Sequence, residues 1–172
     1  MPNSLVLEEP GGSHRWAEVR AHDQVMRYRR LGTGRPLLVL EACSELPIHP
    51  ELRRALAESH RLVMPELPTG EVHLANWLSD FMEGMGTSRL PLLATEGFFA
   101  PALELALLGN DQVARIAFLA EDRGMAPYPT ETHAQGVVES ATTKARVPVL
   151  LLRRTQSLSE IVALVRNFLS EA

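Results

Sequence analysis

The chain has 172 residues, 45% of them hydrophobic, a formal net charge of −4 and a single cysteine, Cys43. That length suffices for one domain with a substantial core and is short for two. The acidic balance without a basic tract argues against nucleic-acid binding, the lone cysteine excludes an intrachain disulfide and a thiolate metal cluster, and no apolar stretch approaches the roughly 20 residues of a membrane-spanning helix.

Residues 1–15 are expected to form a flexible arm, broken by "EPGGS", and residues 16–172 a single domain. The opening "MPNSLVLEEPGGS" has no basic region followed by an apolar run, so a secretory leader is not expected, and with one thiol a cytoplasmic setting is. "WAEVRAHDQVMRYRRLG" reads as two short strands around a turn at His22-Asp23-Gln24. The loop "GTGRP" follows. Its Gly32-Thr33-Gly34 precedes a strand and lacks a following Lys-Ser/Thr, so it is no phosphate loop, and no cofactor is expected.

"PLLVLEA" (Pro36 to Ala42) is a continuous apolar run, as a strand buried on both faces requires. "HPELRRALAES" is a helix with Pro50 in its first turn, and "RLVMPEL" is a second buried strand. "EVHLANWLSDFMEGMG" places Leu74, Trp77, Leu78, Phe81, Met82 and Met85 on one helical stripe, closed by Gly84 and Gly86. "LPLLATE", "VARIAFLAE" and "VPVLLLRR" are further buried strands, and "PALELALLG" and "SLSEIVALVRNFL" are one-sided helices. Residues 122–146 interrupt the rhythm as a long loop. Alternating strands and one-sided helices predict an α/β domain with a mostly parallel sheet, helices on both faces, and the N-terminal hairpin extending one edge.

These pieces, in this order, resemble the α/β-hydrolase family. "VMRYRRLGTGRPLLVL" is similar to the family's opening hairpin, glycine loop and third strand, and "HRLVMPELP" to its fourth strand and the loop after it. "LLATEGFFAPALELALLGNDQVARIAFLA" aligns without gaps onto the fifth strand, nucleophile elbow, helix and sixth strand, "VPVLLL" onto the seventh strand, and "SEIVALVRNFL" onto the last helix. The resemblance implies that fold without a cap domain, whose place the 122–146 loop takes, and without the last strand.

The same alignment implies that the family's chemistry is gone. The elbow carries small-x-nucleophile-x-small, and here it is Ala94-Thr95-Glu96-Gly97-Phe98. Glu96 stands at the nucleophile, no carboxylate follows the seventh strand in "RRTQS", no histidine lies beyond His133, and "EACS" replaces the oxyanion-hole His-Gly. A nucleophile, a histidine and an acid must all lie within hydrogen-bond reach, so a pseudoenzyme is expected. A nucleophile elbow holds its central residue at positive φ, which costs a glutamate on the order of 1–2 kcal/mol. The turn is therefore expected to relax, with Glu96 at negative φ and Gly97 free to adopt either sign.

The residues themselves offer a second pattern. The parallel strands end in Glu41, Glu66, Glu96 and Glu121, and strand C-termini share the edge where ligands bind. Arg153 and Arg154 end the last strand at the same edge. Three readings of this rim compete: a static ion-pair network, a site for a cationic or polyhydroxylated small molecule, or an oxygen-ligated divalent metal. Glu41, Cys43, Ser44, Glu66, Glu96, Gly97, Phe98, Glu121 and Arg153 are the candidate binding residues, with no metal assigned among them. Phe98 and Phe99 read as core filling, His60 and His73 as helix-end residues, and a Cys43–His49 pair as a minor nucleophile candidate. Function divides accordingly. One reading is a non-hydrolytic binding or assembly protein. Another is an unconventional enzyme, of hydrolase, lyase or cyclase type, using Glu96, Glu41 or Cys43. The third is a hydrolase site completed by a partner chain. A homodimer through the exposed last strand or the last helix is expected from the missing eighth strand.

Overall fold

The computed structural model describes residues 15–41, 48, 50–108, 111–120, 147–153 and 157–170, and for Glu96 and Arg153 the backbone alone. Seven strands form one sheet in the order β1-β2-β4-β3-β5-β6-β7. β1 (Arg15–Ala21) and β2 (Gln24–Leu31) are an antiparallel hairpin with Arg15 opposite Arg30 and Ala21 opposite Gln24. β2 runs antiparallel to β4 (His60–Pro65). From β4 the sheet is parallel through β3 (Arg35–Leu40), β5 (Leu90–Thr95), β6 (Val113–Ala120) and β7 (Val149–Arg153). The expected fold class, a mostly parallel sheet with helices on both faces, is the one observed.

The continuous apolar runs resolve into two faces because successive strand side chains point to opposite sides. Leu38, Leu40, Val63, Leu92, Ala94, Ile116 and Phe118 face one way, toward α2 (Leu74–Gly84) and α3 (Phe99–Leu107). Leu37, Val39, Leu62, Met64, Leu93, Ala117 and Leu119 face the other, toward α1 (Pro50–Ala57) and α4 (Leu158–Ser170). On the first face Trp77 stacks on Phe81, with ring centroids 5.7 Å apart, and Tyr28 meets Phe81 edge-on at 5.6 Å. Burial of the fully enclosed Phe81 side chain contributes about 1.5–3 kcal/mol. On the second face Arg166 of α4 donates to the Ala55 carbonyl and to the Glu58 carboxylate, clamping α4 onto α1.

Two glycines are fixed by close approach. Gly32 has a φ of 79°, and a Cβ there would collide with the Ala57 and His60 carbonyls, so the β2–β3 loop lies directly on the end of α1. A Cβ on Gly84 would lie 2.8 Å from the Arg20 carbonyl oxygen, which seats the hairpin on the last turn of α2.

Several details differ from the sequence expectation. β1 begins at Arg15, one residue inside the expected arm, because Arg15 pairs with Arg30. Gln24 belongs to β2 rather than to the turn. Met85 follows α2 as its cap, and Leu74 is only half-buried. His60 is not a helix-end residue. It opens β4 and is buried, with Nδ1 2.9 Å from the Ser59 hydroxyl. The last strand is Val149–Arg153, shorter than "VPVLLLRR". The remainder of the arm and the 122–146 loop lie outside the described residues. Among the described residues no helix is long and apolar enough to cross a membrane.

Candidate functional site

Parallel pairing brings the strand C-termini to one edge. Leu40 of β3 lies opposite Ala94 of β5, Thr95 opposite Leu119 of β6, and Ala120 opposite Arg153 of β7. The backbone positions of Glu41, Glu96 and Arg153 therefore follow one another along this edge, with Glu66 at the end of β4. The Thr95 hydroxyl donates to the Leu40 carbonyl at 3.4 Å, tying the ends of β5 and β3 together.

Of the strand-end carboxylates, the two whose side chains are described, Glu41 and Glu66, each have a cation of their own. Glu41 is buried, and its carboxylate accepts hydrogen bonds from the Ile48 amide at 3.0 Å and from Arg53 Nη2, which reaches both oxygens at 3.0 Å. Arg53 is on α1 and also donates to the Ile48 carbonyl, at 3.4 Å. Glu41 thus fastens the chain after β3 to α1, and its charge is matched where it sits. Glu66 is exposed and lies 3.8 Å from Arg27 of β2. Arg27 also approaches Glu18 at 4.0 Å and covers the Trp16 ring at 4.8 Å. The cations that face Glu41 and Glu66 are therefore Arg53 and Arg27, one on a helix and one on the hairpin, neither of them named by the rim pattern. The side chains of Glu96 and Arg153, and all of Cys43, Ser44, Glu45, His49, Glu121, Asp122 and Arg154, lie outside the described residues.

The β5–α3 junction is a single 3-10 turn, Glu96–Phe98, running straight into α3. Such a turn is right-handed, with φ near −60°. Positive φ among the described non-glycine residues is confined to His22, Arg89 and Asp111, and Gly97 does not use it either. A Cβ at Gly97 would meet nothing within 4 Å. Phe98 and Phe99 are half-buried against the α2–α3 core, and the Phe99 ring lies 4.0 Å from that of Phe118.

One local motif escaped the sequence reading although its signal was present. Ser157-x-x-Glu160 is a capping box. The Ser157 hydroxyl accepts from the Glu160 amide at 3.3 Å, and the Glu160 carboxylate accepts from the Ser157 amide at 2.9 Å and hydroxyl at 2.8 Å. These bonds from Ser157 hold the Glu160 carboxyl below its usual range.

No family model matches the sequence, and no curated protein matches it. Solved structures do. A predicted CIB-like hydrolase from Thermoplasma acidophilum superposes with a TM-score of 0.60 at 11% identity, covering 92% of this chain and 99% of that one. Cfl2 from Burkholderia cenocepacia gives 0.53 at 19% identity over 80% of this chain and 54% of that one. The epoxide hydrolase VrEH1 from Vigna radiata gives 0.51 at 17% identity over 74% and 46%. The chain thus spans about half the length of the last two and nearly all of the first. At these identities the likeness is one of fold.

Proposed function

We propose that this chain, which has the α/β-hydrolase fold, carries out no hydrolysis by a serine, histidine and acid relay and acts instead through binding or assembly. One observation carries this reading: the β5–α3 junction, where Glu96 stands at the nucleophile's place, is a relaxed right-handed turn with Phe99 packed on Phe118. A strained elbow presents a nucleophile above the sheet, whereas a 3-10 turn followed by packed aromatics serves to start a helix. The pairing of Glu41 with Arg53 supports the same reading, because it commits the end of β3 to anchoring α1 rather than to stabilising an oxyanion. Assembly is favoured by β7, which among the described strands pairs on one side only, with β6.

The test is a panel of p-nitrophenyl esters together with a fluorophosphonate probe that labels activated serines. The expected result is turnover no faster than buffer and no protein adduct. Stoichiometric labelling of one serine, or ester turnover abolished by a single serine substitution, would overturn the proposal. A metabolite thermal-shift screen on wild type and Glu96→Gln addresses binding. Stabilisation lost in the variant places the ligand at the β5–α3 junction.

A further inference from the structure

Far from this edge in sequence, the β1–β2 turn and α2 bring three metal-ligating side chains together. His22 occupies the hairpin turn with a φ of 52°, and its Nε2 lies 3.4 Å from Asp80 Oδ1. Glu83, one helical turn beyond Asp80, completes a group whose donor atoms all lie within 4.8 Å of one another. An ion with bonds of about 2.0–2.1 Å to nitrogen and oxygen separates tetrahedral ligands by roughly 3.3–3.4 Å, so the His22–Asp80 spacing already fits and Glu83 needs a small side-chain adjustment.

A separate electrostatic observation calls for a cation here. Asp80 and Glu83 sit toward the C-terminal end of α2, where the helix dipole is negative and carboxylates are disfavoured. The last turn of α2 carries no basic residue. Among the described residues neither carboxylate pairs with an arginine, and the imidazole of His22 is the one partner of Asp80. The geometry is also built on rigid elements, since Gly84 admits the Arg20 carbonyl so closely that hairpin and helix hold a set distance.

We propose that His22, Asp80 and Glu83 form a divalent transition-metal site that cross-links the hairpin to α2. One imidazole nitrogen with two carboxylates matches zinc and its neighbours. Magnesium and calcium prefer all-oxygen sets, and copper(I) prefers sulfur. The site is independent of the strand-edge reading above.

The experiment is titration of the full chain with zinc chloride, followed by calorimetry and thermal unfolding, with magnesium chloride as control. His22→Asn is the informative variant, because asparagine tolerates the left-handed backbone at this turn and keeps the fold while removing the imidazole. Glu83→Gln is the second, on an exposed helix position. Wild type is expected to bind one zinc with a Tm that rises with zinc concentration, and magnesium is expected to leave Tm unchanged. Either substitution should weaken zinc binding by at least the roughly 10–100-fold that loss of even a supporting group brings. Absence of zinc binding, equal affinity in wild type and both variants, or magnesium binding as tight as zinc would overturn the proposal.

Discussion

Glu41 illustrates how a residue type can be legible while its partner is not. A carboxylate at the end of a buried strand is plain in "PLLVLEA", but the arginine that neutralises it lies on the following helix, brought there by the crossover. Breaking a buried pair from one side leaves an uncompensated charge and costs about 3–5 kcal/mol. Arg53→Met should therefore lower stability by about 3 kcal/mol in urea unfolding. Adding Glu41→Leu should restore most of that loss, short of about 1 kcal/mol for the Ile48 amide left without its acceptor. Additive effects of the two substitutions would show that the pair is not coupled. His60 is the second case. Burial, its largest influence, holds the imidazole below its ordinary value of 6.5, and Arg166 and Arg35 act in the same direction against a hydrogen bond to Leu56. The unfolded chain then takes up this proton at a higher pH than the folded one. Stability should decline as pH falls below about 6.5 and level off below the folded value. His60→Gln should flatten that part of the urea-midpoint profile, and an unchanged slope would assign the effect to other groups.

The 3-10 turn between β5 and α3 was readable in outline from "LLATEGFFAPALELAL", since an apolar strand, a Gly and a helical stripe specify strand, turn and helix. What the string did not reveal is that Gly97 has no conformational task. Its φ is not positive, and a side chain there meets open space. Gly97→Ala should therefore raise stability by about 0.5–1 kcal/mol by restricting the unfolded chain. A loss of stability in urea unfolding would mean that the elbow retains a strained backbone. The helices follow the same division. The stripe of α2 was evident from spacing through Trp77, Leu78, Phe81 and Met82, but on α3 Leu105 is buried while Leu107 is exposed, and the cap Met85 and the early start of β4 at His60 depended on where hydrogen-bond partners ended. Periodicity marks the interior of an element, and its ends are set by neighbours.

Across the whole molecule the two sheet edges differ in kind. β1 carries Arg15, Glu18 and Arg20, charges of the sort that protect an edge from pairing. β7 reads Val-Leu-Leu-Leu-Arg, with Leu151 38% exposed, and among the described strands it pairs on one side only. A second copy adding its own β7 would extend the sheet, so light scattering after size exclusion should give a dimer and Leu151→Lys a monomer. A strictly monomeric wild type would remove this expectation. The sequence by itself determined the order of strands and helices along the chain and the division of the core between two faces. Both follow from local periodicity. Tertiary structure alone decided that Arg53 faces Glu41 and Arg27 faces Glu66, that Gly84 seats the hairpin on α2, and that His22 meets Asp80 and Glu83. Those contacts join residues distant in sequence, and their geometry exists only once the crossovers and the sheet order have brought the elements together.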